Sequence, residues 1–441
     1  MEKNLYKLTW PIFVEILFFI LMGSLDTLML SQYSDLAVAA VGISNQLVGL
    51  FGIFLNIVAT GTTVVVSQYL GAGKDASARG AIKTGFILNT IIGLIAFTAL
   101  FFLGEGVLRL INTEASLMDF ATTYLQLAAV SLIFFSMGQA VSAGFRAYGK
   151  PRIVMYVTIG ANILNVVLNY IFIFGRFGAP ELGVAGAAYA TVISRFVTFV
   201  ILMLLMKTML QIRVWRLEYG GLFSRKILRI GIPSGSENAL WNISQIILIS
   251  FVNTMGLDAL IARTYVITIM QFVLLFSLSL ANANAIIIGY HVGEQTLEEA
   301  YQRTFKSFRI AMRWVIVVTL LINVFALPML SLFTSNTEVI RLGRLLILIS
   351  IGNEIGRTMN LLFIFSLRST NDAVFPVVMA VISMYGISVF LGYVLGIVFA
   401  WGVVGIFVAM SLDELFRGFF MLLRWRSKIW HKYAITEGAL V

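Results

Sequence analysis

The sequence predicts an all-α integral membrane protein of twelve transmembrane helices arranged as two pseudo-symmetric six-helix lobes. Three observations predict it: the composition, a series of charge-free runs, and motifs that return at a fixed offset. Hydrophobic residues make up 59% of the 441 positions and charged residues only 12%, which is incompatible with an ordinary soluble globule. The absence of cysteine and the presence of only two histidines exclude a disulfide framework, a thiolate nucleophile and a cysteine- or histidine-rich metal centre. No cofactor is expected.

A span needs roughly 20 apolar residues. The first run, residues 8–30, is too long for a signal peptide, lacks a small-residue cleavage site and holds two acids, so it is expected to stay. Runs at 42–70, 84–103, 121–145, 153–174 and 183–206 complete a first set of six. A second set follows at 228–252, 264–290, 314–332 and 342–366, and then in the long stretch 373–412. That stretch exceeds one span and carries Gly402-Val403-Val404-Gly405, so it divides near Trp401 and the twelfth helix runs to about residue 423. Continuous apolar runs, not short alternating strands, exclude a transmembrane barrel.

Orientation follows from the basic residues. Of the 31 lysines and arginines, 24 fall in the amino end, the even loops and the tail, including Lys3, Arg216 and Arg368 in those segments and Arg417 at the start of the tail. Both termini are therefore expected on the cytoplasmic side. The net charge of +10 reads as a topology signal with affinity for anionic headgroups of the bilayer, and nucleic acid is not implied as a partner.

Repeats organise the chain. Trp10-Pro11-Ile12-Phe13-Val14-Glu15 and Ile232-Pro233-Ser234-Gly235-Ser236-Glu237 open helices one and seven with prolines and glutamates 222 residues apart. Phe145-Arg146 and Leu367-Arg368 share that offset, and Gly183-Val184-Ala185-Gly186 pairs with Gly402-Val403-Val404-Gly405 at 219. The expected organisation is an amino-terminal lobe at 1–206, a basic cytoplasmic linker at 207–226, a carboxyl-terminal lobe at 227–423 and a cytoplasmic tail at 424–441. Six is even, so both lobes enter the membrane the same way. An axis along the membrane normal, a substrate path between lobes and alternating access are the corresponding expectations.

Polar residues inside the spans are the candidate functional groups. At about 1.5 Å per residue, Asp26 lies roughly 27 Å along helix one, and Asn165 and Asn169, one turn apart on helix five, roughly 18 and 24 Å along theirs. Thr191 of helix six reaches a similar depth. Four oxygen-bearing side chains at one level suit a shared proton or a hard cation such as Na⁺. Asn and Thr also serve as interhelical hydrogen-bond glue, but an intramembrane carboxylate costs at least about 2.5 kcal/mol and is seldom kept for packing. In the second lobe Glu237, Glu354 and Arg357 lie at comparable depth as a candidate cation site, with Glu354 and Arg357 spaced to form a local ion pair. Asp413, Glu414 and Arg417 hold a similar pair and read as structural, while Glu15 faces the cytoplasmic end.

With these residues in view, the chain is similar to the multidrug and toxic compound extrusion (MATE) family. The resemblance rests on Leu8-Thr9-Trp10-Pro11, on Gly23-Ser24-Leu25-Asp26-Thr27, on FRAYGKP at 145–151, on LNVVLNYIFIFG at 164–175 and on LGVAGAAYAT at 182–191. It implies twelve helices in two lobes and export of organic cations in exchange for Na⁺ or H⁺, with Asp26 as the helix-one acid on which coupling turns. Asn165, Asn169 and Thr191 match positions lining the same cavity, and Glu237 resembles the helix-seven acid of the NorM-like branch. Two departures make the chain an atypical relative of that branch: Asn169 stands where some members carry an acid, and Arg357 stands about where the branch has its second acid. Both departures favour H⁺ over Na⁺. The expected protein is a monomeric antiporter of a prokaryotic inner membrane that exports amphiphilic organic cations. A flippase of lipid-linked saccharides or other amphiphiles, from the same superfamily, is the alternative; a cavity richer in arginine would favour it, and Arg195 and Arg357 are the only strongly intramembrane arginines. An enzyme would need a nucleophile and base or a metal cluster, which His291 and His431 do not supply.

Overall fold

In lipid a single segment satisfies its own backbone N–H and C=O groups only as an α-helix. The computed structural model describes residues 4–213 and 221–438 and contains no strand among them. The helices are α1 (Leu5–Ser31), α2 (Asp35–Gly71), α3 (Asp75–Leu110), α4 (Ala115–Ala147), α5 (Pro151–Phe174), α6 (Gly183–Met209), α7 (Gly221–Asn253), α8 (Leu257–Gly293), α9 (Leu297–Val324), α10 (Ala326–Ser331), α11 (Thr337–Ser369), α12 (Val374–Val398), α13 (Val403–Arg426) and α14 (His431–Gly438). All but α10 and α14 have at least 24 residues, about 36 Å of helix against a hydrocarbon core of about 30 Å. The protein is an all-α membrane protein.

Among the described residues, nine helices are long and apolar enough to cross a membrane by length and composition. The long helices outside that set are α7, α11 and α13. They carry Glu237, Glu354, Arg357, Arg368, Asp413, Glu414 and Arg417, whose charges lower their hydropathy, and most of these side chains are buried within protein.

Two compact units divide the chain. The first holds Trp10–Leu70 and Lys74–Ile232; the second holds the start of α1 through Thr9, Gly71–Gly73 and the chain from Pro233 onward. In the first unit Leu30, Val41, Ile173 and Ala188 draw α1, α2, α5 and α6 into one core. A second core joins α2, α3 and α4 through Leu55, Leu100, Leu125 and Leu132. The second unit packs Leu248, Val266, Leu346 and Phe407 of α7, α8, α11 and α13 together. Its other core ends in Trp425 and Trp430, stacked at 4.2 Å between ring centroids.

Local signals account for the helix ends. Pro151 opens α5, where its missing N–H costs nothing, and Gly175 closes that helix in the left-handed conformation at φ 62°. Asn336 caps α11 by accepting from the N–H groups of Glu338 and Val339, with Glu338 favourably placed in the first turn. Gly183 and Gly402, at φ 51° and 61°, turn the chain into α6 and α13. Three residues later, a methyl at Gly186 would lie 2.5 Å from the Phe172 carbonyl oxygen, and one at Gly405 would lie 2.6 Å from the Leu395 carbonyl carbon. Both halves thus use glycine to seat a helix against the backbone of the preceding one.

The structure departs from the sequence reading in several places. The span expected at 314–332 ends at Val324, and the short α10 takes over, because Pro328 has no N–H to bond the Val324 carbonyl. The run assigned to helix eleven contains π turns at Met384–Val389 and Val394–Val398, where Gly386 and Gly396 weaken the regular ladder. Arg368 and Arg417, counted with the cytoplasmic loops and tail, are buried in α11 and α13. Of the linker expected at 207–226, residues 214–220 with Arg216 lie outside the described residues, as does Lys3; Gly221–Lys226 already belongs to α7.

Candidate functional site

The first unit gathers its polar groups around Asp26. This half-buried carboxylate accepts a hydrogen bond from Asn169 Nδ2 at 2.5 Å, and the same nitrogen donates to Asn165 Oδ1 at 3.1 Å. Both asparagines are fully buried, and their spacing of four residues puts them on one face of α5. One turn earlier, Asn162 donates to the Phe18 carbonyl at 2.7 Å, which fastens α5 to α1 and fixes the register in which Asp26 meets Asn169. Asn165 Nδ2 and Asn169 Oδ1 have no hydrogen-bond partner among the described residues. Thr191 is buried, but its hydroxyl donates to the Ala187 carbonyl of its own helix at 3.1 Å, so the hydrogen bonds join Asp26, Asn165 and Asn169 and leave Thr191 out.

One turn beyond Thr191 stands a group that the sequence reading did not place here. Arg195 donates from Nη1 to Ser131 Oγ at 2.8 Å and lies 4.7 Å from the Phe135 ring centroid. Nearby, the Tyr124 hydroxyl donates to Asn45 Oδ1 at 3.2 Å. No carboxylate lies within 4 Å of Arg195 among the described residues. The sequence already marks Arg195 as intramembrane, and its spacing of one helical turn from Thr191 is the signal that groups it with this cluster.

The second unit is organised by ion pairs. Glu237 of α7 accepts from Arg368 Nη2 of α11 at 2.5 Å. Arg357 donates to Glu354 at 2.9 Å along α11 and lies 3.7 Å from Glu414 of α13. Arg417 bridges Asp413 at 3.0 Å and Glu414 at 2.9 Å. Asn360 also donates to Glu414, and the Ser383 hydroxyl of α12 bonds Asp413. The bonded groups therefore pair Glu237 with Arg368 and place Glu354 and Arg357 together with Glu414, so the three residues expected as one cation site sit in two separate pairings. Asp413, Glu414 and Arg417 form the local pairs read from sequence and also reach α11. Glu354 Oε2 has no hydrogen-bond partner among the described residues. Among the described residues no three His, Cys, Asp or Glu side chains gather to hold a metal ion.

One element occurs in both units. Glu15 of α1 pairs with Arg146 of α4 at 2.6 Å, and Glu237 pairs with Arg368 at 2.5 Å, each across 131 residues. These are the residues that the sequence relates by 222 positions.

Comparison with known proteins repeats this internal division. A family model described as MatE matches residues 11–171 and again 233–394, each match beginning at one of the two prolines. The chain is 38% identical to the uncharacterized transporter YisQ of Bacillus subtilis strain 168 over 97% of its own length and 94% of that protein's. It is 28% identical to the probable multidrug resistance protein NorM of Thermotoga maritima, over 98% and 94% of the two chains. A crystal structure of MATE in the bent conformation superposes with a TM-score of 0.91 at 18% identity, covering 98% of this chain and 96% of that one. With the profile matched twice and the long relatives matched nearly end to end, the chain belongs to the MatE family.

Proposed function

We propose that the protein is a secondary antiporter that exports organic cations and drugs across the cytoplasmic membrane of a bacterium, with H⁺ favoured over Na⁺ as the coupling ion. The observation that carries this reading is the bond between Asp26 and Asn169: one carboxylate, held by neutral amides, in a helix whose other charges lie near its amino end. An ionised Asp26 attracts a cationic cargo from the cytoplasm. Protonation from outside removes that charge and releases the cargo, and alternation of the two units resets access. Na⁺ favours several oxygen ligands with more than one negative charge, whereas a proton needs only one carboxylate. In the second unit the acids Glu237 and Glu354 already have Arg368 and Arg357 beside them, which argues against a Na⁺ site there. The names of the relatives, a transporter and a probable multidrug resistance protein, agree with export and not with catalysis. Basic residues at the termini and even loops support cytoplasmic termini, and the protein is read as a monomer needing no cofactor.

Arg195 is the one observation that favours the alternative, a flippase of lipid-linked saccharides or other anionic amphiphiles. Uptake of rhodamine 123 into proteoliposomes under an imposed pH gradient alone, then a Na⁺ gradient alone, separates the readings. Proton-driven uptake abolished by Asp26→Asn is expected. Uptake that survives in this variant sinks the role of Asp26, Na⁺-driven uptake moves coupling to Glu237 and Glu354, and no uptake combined with lipid scrambling establishes the flippase.

A further inference from the structure

Arg195 falls opposite Glu414 at the 219-residue offset and opposite Arg417 at 222, yet the ordinary explanation of an intramembrane arginine does not apply to it. In the second unit every arginine of the cluster lies within 3.0 Å of a carboxylate: Arg357 at 2.9 Å, Arg368 at 2.5 Å and Arg417 at 2.9 Å. Such pairing lets a charge stay buried for structural reasons. Arg195 instead has a hydroxyl, Ser131, and the face of a ring, Phe135. A guanidinium carries five N–H donors, and among the described residues its one hydrogen bond is made by Nη1, which leaves the other donors open to a bound group. Arg195 is half-buried, and an intramembrane cation so incompletely matched is costly; an anion that binds it recovers that cost.

Its surroundings extend the point. Asp26 stands in the same unit as Arg195 without pairing with it, and beside Asp26 a buried donor, Asn165 Nδ2, and a buried acceptor, Asn169 Oδ1, lack partners among the described residues. The first unit therefore offers one negative charge, one positive charge and unspent hydrogen-bonding groups of both kinds. A purely cationic cargo would gain at Asp26 and be opposed by Arg195. An amphiphile with an amine or iminium at one end and a carboxylate at the other satisfies both.

We propose that Arg195 binds the anionic group of the cargo, so that the first-unit site, held by Arg195 on Ser131 and Asp26 on Asn169, selects zwitterionic amphiphiles over simple cations. This deepens the antiporter reading and rests on it for the transport step. The same fixed positive charge discourages Na⁺ from approaching Asp26.

The test uses two dyes that differ only at the group in question: rhodamine 123, a methyl ester with one positive charge, and rhodamine 110, its free carboxylic acid. Fluorescence anisotropy on the full chain in detergent gives the affinity ratio of acid to ester for wild type, Arg195→Gln and Arg195→Lys. Wild type should prefer the acid. Arg195→Gln should lower the ratio by at least about tenfold, the loss of one charge-assisted hydrogen bond, and Arg195→Lys should restore much of it. No binding of the acid, no preference for it in wild type, or an unchanged ratio in Arg195→Gln overturns the proposal. Equal loss of both dyes in the Gln and Lys variants does so too, because it makes Arg195 a strut. An Arg195-dependent preference in a protein that shows no proton-driven uptake leaves the binding site standing and removes the antiport reading instead.

Discussion

The two units share the parts that build a half and differ in the parts that carry charge. Each ties its first helix to a later one by the same pair, Glu15 to Arg146 and Glu237 to Arg368, and each seats its last long helix with a left-handed glycine followed by a close-packed one. Around those fixtures the first unit keeps Asp26 among amides with Arg195 apart from it, whereas the second interlocks Glu354, Asp413 and Glu414 with Arg357 and Arg417. Duplication kept the fold's fasteners. The chemistry then diverged, and the unit whose acid, Asp26, is bonded to an amide and to no cation is the better place to look for a moving ion.

Exchanging one acid in each unit breaks the comparison most directly. Asp26→Asn should reduce proton-driven dye uptake by roughly 100-fold or more, the worth of a charge-assisted contact at the point of coupling. Glu237→Gln, which removes an acid already neutralised by Arg368, should leave uptake within about tenfold of wild type when corrected for folded protein. Initial rates in proteoliposomes measure both. The reverse order would place coupling in the second unit. The pH dependence has a sign as well: uptake through Asp26 requires the acid to be protonated on one side and ionised on the other, so the wild-type rate should rise with the imposed gradient and Asp26→Asn should be flat.

Stability should rank the two units the other way. Arg417→Ala strands Asp413 and Glu414 as buried acids with too few cations, and breaking such a pair costs about 3–5 kcal/mol. Arg195→Ala strands no acid, and Ser131 keeps its hydrogen bond to the Ala128 carbonyl, so this change should cost far less. Thermal unfolding in detergent gives the ranking; a larger loss for Arg195→Ala would mean that its charge is structural after all.

These two rankings also separate what was legible in the sequence from what was not. The helices were legible because lipid leaves the backbone few alternatives, and Asp26 was conspicuous as a charge in an apolar run. Asn165 and Asn169 could be put on one face by spacing alone. Which face meets which helix is a tertiary fact, so Thr191, correct in depth, turned out to bond within α6, and Arg195, one turn away, passed unplaced. Arg368 reads as a loop cation because it lies two positions before Thr370-Asn371-Asp372, although its partner Glu237 stands 131 residues earlier. The split at Pro328 was readable in principle; the π turns of α12 were not, since they depend on how that helix is accommodated along its length.

The duplicated tie offers a finer comparison. The Glu237 and Arg368 side chains are 12% and 7% exposed, against 15% and 17% for Glu15 and Arg146. Removing one partner from the drier pair leaves the less hydrated charge behind, so Glu237→Gln should destabilise by about 3 kcal/mol and Glu15→Gln by less. Equal losses would mean that the exposure difference carries no energetic weight.

The smallest effects should be the most alike. At Gly186 and Gly405 an alanine methyl would press on backbone atoms, the Phe172 carbonyl in one unit and the Leu395 carbonyl in the other. Backbone cannot swing aside as a side chain can, so each Gly→Ala change should cost about 1–3 kcal/mol through displacement of the helix. The two values should agree within about 0.5 kcal/mol, since neither position involves charge and the two geometries match. Chemical unfolding of the single variants tests this. A large loss at Gly405 beside a small one at Gly186 would show that α12, with its π turns, is the stiffer neighbour, because a helix that yields spreads the displacement over several contacts and one that does not concentrates it at the glycine.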